Sequence, residues 1–389
     1  MVRNQRRWKP RSLRTVAVVS MMGMMALSAC GTSSGGSGSA SSDGQGADVA
    51  AAKASVEAAR KLPAYPPLSQ GGPINASALA GKLVYLIKYT DQPYNNFEAQ
   101  AQVDGLQLAG VRTRVVSGDG TPQSWAAGIN AAVADHANGI NLLGMDPASV
   151  APQIRAAQNA GIIVTSSNSY GTPQQMPDPI KDGGVTGTWY QNAKLMFDAA
   201  VADAGGSINA LYMTSNDVRN EHTMAQAIQD EQKRLCTGCK ITTANQPVSK
   251  WSEIPNTVAA ALTKDPTINY VMLPFDSTIP YAQTGIRQAG KSPSQVKIVS
   301  GNASAEILKQ ITPGGQVIAD PGAGVTWMGA AVAANMLRVL GGGQPTIYEL
   351  QARLFDQTNV AEAGNPPSYL EGFGDRQKWL DELSGLLQK

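Results

Sequence analysis

Metal-ligating and redox side chains are scarce in this chain: its 389 residues include two histidines and three cysteines. A zinc site wants four ligands at close spacing, and His136 and His222 supply no second pair to set beside Cys236 and Cys239. No metal and no cofactor is therefore expected. Catalytic signatures are thin as well, with no HExxH and no GxGxxG following a strand, and the expectation is a protein that is not an enzyme. Paired carboxylates such as Asp91 and Asp276 suggest a glycosidase pair only if they face each other, and shared binding of hydroxyls explains them more simply. A basic surplus is also missing. The formal charge of +2 becomes about −4 once the six basic residues of the first 29 are set aside, which argues against nucleic acid as a partner.

Long hydrophobic runs are absent too. The longest candidate, from about Val16 to Leu27, falls short of the ~20 residues that cross a bilayer, but it follows Arg3, Arg6, Arg7, Lys9, Arg11 and Arg14 with no acidic residue between. That is the build of an export signal over residues 1–29, and Arg6-Arg7 leaves the twin-arginine route open beside the general one. Leu27-Ser28-Ala29-Cys30 resembles the lipobox of bacterial lipoproteins, which implies cleavage before Cys30 and a lipid on that residue. Gly31 to Gly46 is nearly pure Gly and Ser, a flexible tether, and the Pro-rich "KLPAYPPLSQGGPINASALAG" continues it more stiffly after a short helix near Asp48 to Lys61. The expected location is the extracytoplasmic face of a cell membrane, with the tether spanning residues 30–80. In such a compartment Cys236 and Cys239 of "RLCTGCKI" read as a disulfide that clamps a loop, closing a helix and preceding a strand.

From Gly81 the pattern alternates. Short β-branched runs ("KLVYLIKY", "RTRVVS", "GINLLGM", "GIIVTSS", "INALYMTS", "INYVMLPF", "VKIVSG", "QVIAD") are separated by helical stretches such as "NFEAQAQVDGLQLAG", "PQSWAAGINAAVADH", "PASVAPQIRAAQNAG" and "IPYAQTGIRQAG". Strand and helix at this spacing predict right-handed crossovers around parallel sheets covered on both faces: an α/β protein, long enough for two lobes. Open parallel sheets bind ligands beyond the carboxyl ends of their strands. There the chain turns abruptly polar and aromatic, in "TDQPYNN", "SSNSY", "SNDVRNEH", "FDST", "GNAS" and "DPGAG". Amides and carboxylates bond adjacent hydroxyls while an aromatic face covers C–H groups, which is the chemistry of polyhydroxylated ligands.

In the order and spacing of these elements, residues 81–355 resemble the periplasmic sugar-binding proteins of the ribose, galactose and xylose type, the receptors of ABC importers. The passages that carry the resemblance are "VYLIKYTDQPYNNFEAQAQVDG", "GINLLGMDPASVAPQIRAAQNAGIIVTSSNS", "NYVMLPFDSTIPYAQTGIRQAGK" and "VIADPGAGVTWMGAAVAANML". The resemblance implies two lobes joined by a three-segment hinge: residues 81–175 with 321–343, and residues 176–320 with 344–389 including a C-terminal tail. It implies ligand contacts at Asp91, Gln92, Tyr94 and Asn95, and at Ser167 and Asn168, where sugar binders often carry an Asp-Arg pair. It implies further contacts at Trp189, Arg219, Glu221, Phe275, Asp276, Asn302 and Asp320. The function so implied is capture of a sugar or polyol by a monomeric lipoprotein that delivers it to an ABC permease. The alternatives are a receptor for a signalling partner and an importer receptor for a non-sugar molecule. Trp125 and Trp251 are expected to pack helices, Trp327 to sit in close packing, His222 to face the cleft or solvent, and Tyr170 to line the opening or cover a crossing strand.

Overall fold

A computed structural model describes residues 46–171, 180–369 and 371–388. The expected signal peptide, Cys30 and the tether up to residue 45 lie outside these described residues. The described chain starts with helix α1 (Val49–Arg60) and a short strand β1 (Ile74–Asn75). The first alternating series follows: β2 (Leu83–Lys88), α2 (Pro93–Gln107), β3 (Arg112–Ser117), α3 (Pro122–Ala134), β4 (Gly139–Leu143), α4 (Ala151–Asn159), β5 (Ile163–Ser167) and β6 (Gly184–Val185). The second comprises α5 (Trp189–Ala204), β7 (Asn209–Thr214), α6 (Asn220–Leu235), β8 (Lys240–Asn245), α7 (Ile254–Lys264), β9 (Tyr270–Leu273), α8 (Ile279–Gln288), β10 (Lys297–Ser300), α9 (Ala305–Leu308) and β11 (Val317–Ala323). The chain closes with α10 (Val325–Leu340), β12 (Ile347–Tyr348), β13 (Ala352–Asp356), α11 (Arg376–Gly385) and β14 (Leu387–Gln388).

Two six-stranded sheets result, one per lobe. The N-terminal sheet has the order β12-β6-β5-β4-β2-β3 and is parallel throughout, and the C-terminal one has the order β13-β11-β10-β9-β7-β8 with only β13 antiparallel. Central strands such as Leu83–Lys88 are buried on both faces and read as continuous apolar runs, whereas the edge strands β3 and β8 alternate toward solvent. Helices cover each sheet twice. Helix α10 is buried almost end to end because small residues let α2 approach it: a Cβ on Gly105 would meet Ala333 Cβ at 2.6 Å.

The lobe boundaries differ from those expected. Strand β6 pairs with β5 and β12, so the first crossing comes after Val185 rather than at 175/176. Strand β11 stays in the C-terminal sheet through Ala323, and the N-terminal lobe regains the chain up to Tyr348 rather than 343. Backbone pairing decides these points, and the strands involved are too short to announce themselves.

The two chain ends also lie where they were not expected. Helix α1, inside the expected tether, docks on the C-terminal lobe: Ala52 and Val56 enter its core, and Arg60 Nη2 lies 2.6 Å from Asp356 Oδ2. The tail, expected on the C-terminal lobe, crosses back. Trp379 and Leu383 of α11 join the N-terminal core, Arg376 pairs with Asp104 at 2.5 Å, and β14 pairs with β1. These helices have one apolar face each, and only the tertiary fold decides which lobe covers it.

The string GIRQAGKS at residues 285–292 satisfies GxxxxGK[ST], a match the motif reading passes over. It runs through the last turn of α8 and beyond, not from a strand into a helix N-terminus, so it forms no phosphate loop. The string GTSSG at residues 31–35, a literal GxSxG, lies outside the described residues.

Candidate functional site

The carboxyl ends of both sheets open toward each other, and between them lies a cavity of about 80 Å³. Each strand delivers its share just past its last residue. β2 gives Tyr89, Thr90, Gln92, Tyr94 and Asn95, β4 gives Gly144, and β5 gives Asn168. From the other lobe β7 gives Val218 and Asn220, β8 gives Val248 and Trp251, β9 gives Phe275 and Ser277, and β10 gives Asn302; Trp189 opens α5. A larger cleft of about 980 Å³ lies elsewhere, against α1 and α5. It belongs to one lobe, and its Arg60–Asp356 and Lys297–Asp203 pairs already satisfy one another.

Of the expected contacts, Gln92, Tyr94, Asn95, Asn168, Trp189, Phe275 and Asn302 border the cavity. The others do not. The Asp91 side chain is 73% exposed and pairs with Lys88 Nζ at 3.0 Å. Ser167 is fully buried, its hydroxyl donating to Glu98 Oε1 (2.9 Å) and accepting from Asn141 Nδ2 (3.0 Å). Glu221 is buried with the Tyr212 and Thr214 hydroxyls at 2.9 and 3.0 Å. Asp276 accepts from Ser300 Oγ (2.6 Å) and Ser304 N (2.7 Å), and Asp320 accepts from Asn302 N (3.1 Å) and Ala303 N (2.9 Å). These carboxylates hold the loops that carry the cavity residues. Arg219 stands at the rim, pairing with Asp146 at 3.5 Å and lying over the Tyr170 ring at 4.9 Å, so it spans the two lobes.

Burial shapes the ionisation of these supports. It pushes the Glu98 carboxyl up to about 7 against the pull of Ser167, and Glu221 up to about 8 despite Tyr212 and Thr214. Burial first, and the neighbouring Asp276 second, hold Asp320 well above the usual carboxylate range. Three buried acids with raised pKa values thus underlie the loops around the cavity. Among the described residues that line it none is charged.

Sequence reasoning missed Tyr89, Thr90, Gly144, Val218, Asn220, Val248, Trp251 and Ser277. Trp251, expected only to pack a helix, also borders the cavity, and its ring meets Phe275 with centroids 5.6 Å apart. The signal available was its position. "KITTAN" is an edge strand whose exposed positions hide it, and once β8 is recognised, Val248 and Trp251 fall in a strand-end loop like all the others. The remaining discounted residues sit as packing groups or on the surface: Trp125 and Trp327 are buried, and His222 is exposed. Cys236 and Cys239 are bonded, with Cα atoms 5.3 Å apart, between α6 and β8.

Two parallel-sheet lobes, joined by crossing segments and meeting over a cavity built from the strand ends of both, define a hinged solute-binding protein. The comparison with known families agrees: a model of the periplasmic binding protein domain matches residues 83–344, and the chain belongs to that family of solute-binding proteins, which are not enzymes. The family acts outside the cytoplasm, in partnership with ABC permeases. No curated protein matches the chain. Among solved structures it is similar to an ABC transporter solute-binding protein from Agrobacterium vitis with bound allitol, at 19% identity and a TM-score of 0.64, covering 74% of this chain and 99% of that one. It is similar to a 5-methylthioribose transporter solute-binding protein from Thermotoga lettingae, in complex with 5-methylthioribose, at 17% identity and a TM-score of 0.63, covering 78% and 96%. A sugar ABC transporter protein from Yersinia enterocolitica aligns at 17% identity with a TM-score of 0.65, covering 79% and 95%.

Proposed function

We propose that this chain is an extracytoplasmic lipoprotein that captures a sugar or polyol between its lobes and delivers it to an ABC importer. The observation that carries the reading is the lining of the interlobe cavity, where aromatic rings stand among amides and hydroxyls and no described residue brings a charged side chain. Rings cover the C–H faces of a polyhydroxylated ligand, and amides serve its hydroxyls as donor and acceptor together. The relatives crystallised with allitol and 5-methylthioribose support the same ligand class.

Gln92, Tyr94, Asn95 and Asn168 receive the ligand on the N-terminal lobe, and Trp189, Phe275 and Asn302 complete its contacts when the lobes close. A lipid on Cys30 and the Gly/Ser tether keep the monomeric receptor near its permease at high effective concentration. The Cys236–Cys239 bond fixes the turn between α6 and β8, the edge strand whose loop carries Trp251.

The test is a thermal-shift screen of the purified protein against neutral sugars and polyols, with amino acids and carboxylic acids as the contrast. A true ligand at 100 times its dissociation constant adds about 2.7 kcal/mol of stability, a shift that is easily read. Stabilisation by a neutral polyhydroxy compound is the expected result; stabilisation confined to amino acids or carboxylic acids contradicts the proposal.

A further inference from the structure

The two sides of the cavity differ in chemistry. The C-terminal lobe presents Trp189, Val218, Val248, Trp251 and Phe275, with Ser277, Asn220 and Asn302 as its polar residues. Both indole N–H groups are spent inside the protein, Trp189 Nε1 on Asn168 O and Trp251 Nε1 on Ser215 Oγ, each at 3.0 Å. Phe275 joins the two rings, with centroids 6.2 Å from Trp189 and 5.6 Å from Trp251. The wall of Trp189, Val218, Val248, Trp251 and Phe275 therefore offers a ligand carbon, with the Ser277 hydroxyl as the polar group beside it. With its amide nitrogen donating to Ser169 O (2.7 Å), Asn220 places its oxygen 3.0 Å from the Trp189 N–H, so its amide is occupied as well. Asn302 Oδ1 accepts from Asp276 N (3.0 Å), which leaves its amide N–H and one oxygen lone pair for a ligand.

The N-terminal lobe is the polar half. Asn95 Nδ2 donates to Thr90 O and Oγ1 (3.3 and 3.1 Å), leaving Asn95 Oδ1 as an acceptor beside the Gln92 amide and the hydroxyls of Tyr89 and Tyr94. Among the described residues no cation lines the cavity: the Lys88 ammonium is bonded to Asp91 and Asn96, and the Arg219 guanidinium at the rim pairs with Asp146 and lies over the Tyr170 ring.

A fully hydroxylated sugar enclosed here would turn part of its rim against Val218, Val248 and Phe275. Each hydroxyl stripped of water there without a partner costs roughly tenfold or more in affinity, and a charge would meet no counter-charge. We infer that the ligand is an uncharged amphiphile: hydroxylated at the end held by the N-terminal lobe, and apolar, as a deoxy carbon, O-alkyl, thioether or aryl group, at the end facing the wall of the C-terminal lobe. The inference rests on the capture of a polyhydroxylated ligand proposed above and narrows it.

The experiment measures dissociation constants by calorimetry for the full exported chain against matched sets: pentoses, hexoses and polyols, each beside its deoxy, O-methyl and phenyl derivatives. The expected result is that the tightest ligand carries the apolar group and binds at least tenfold more tightly than its fully hydroxylated parent. Val248→Thr, which keeps the side-chain shape and adds a hydroxyl to the wall, is expected to shrink that preference several-fold. If the tightest ligand is fully hydroxylated, or if Val248→Thr leaves the preference unchanged, the amphiphile inference falls while sugar capture stands. If the tightest ligand is an anionic acid or an amino acid, both fall.

Discussion

Trp189→Ala is expected to cost about 3–5 kcal/mol of stability, the range for removing a large buried aromatic, and to weaken ligand binding by about two orders of magnitude. Trp189 is 6% exposed and opens α5 directly after the crossing segment that leaves β6. Its ring packs edge-on to Phe275, and its N–H donates to Asn168 O of the opposite lobe. One side chain therefore sets the cavity wall and the seam between lobes together. Trp189→Phe separates the two roles. It retains most of the packing and loses the bond to Asn168, so it is expected to cost about 1 kcal/mol beyond its smaller volume. Chemical denaturation and calorimetric titration of both variants provide the check; a Trp189→Ala protein with unchanged affinity would remove Trp189 from the site.

The second large effect is on pH. The folded-state values of Glu98 and Glu221, about 7 and about 8, lie above the ordinary 4.5 of a glutamate. The folded protein therefore binds more protons than the unfolded chain between about pH 4.5 and 8. Stability from these groups is fully present below pH 4.5 and is lost as the pH rises through 7 and 8, on the order of 3 kcal/mol for Glu98 alone. Asp320, raised by burial and by Asp276, acts in the same direction. Asp265, held down to about 2 by Thr267 and Asn209, acts only below the pH 5–8 window. Denaturation midpoints are expected to be higher at pH 5 than at pH 8, with Glu98→Gln and Glu221→Gln each flattening the profile. A midpoint that climbs from pH 5 to pH 8 in the unmodified protein would contradict the upward shift of the buried acids under the loops.

Much of the architecture was legible because buried parallel strands must be apolar on both faces, and runs such as "LVYLIK" have no other use in a chain that alternates so regularly. The strand β8 escaped because an edge strand needs only one covered face, and its loop went with it. The docking of α1 and α11 was also hidden: their apolar faces are visible locally, but their partners lie hundreds of residues away, as in the bond from Leu68 N to Glu382 Oε1 at 2.7 Å.

At the site, sequence position located the loops but not the direction of each side chain. Asp276 follows a strand end as expected, whereas Asp320, expected just past one, lies inside β11, which runs on to Ala323; adjacent backbone N–H groups needed acceptors, and both carboxylates turned inward to supply them. Phe275, next to Asp276, and Asn302, whose backbone N–H donates to Asp320, were left bordering the cavity. Nothing in the residue types alone distinguishes these outcomes.

Closure of two lobes on a solute is tested most directly by a distance between them. Gln123, exposed on α3, and Ser249, exposed beside Val248, stand on opposite lobes near the cavity and accept spin labels through Gln123→Cys and Ser249→Cys. Pulsed electron resonance is expected to give a broad, longer distance distribution for the free protein and a shorter, narrower one when the tightest-binding sugar or polyol is saturating. Identical distributions with and without saturating ligand would contradict capture by closure.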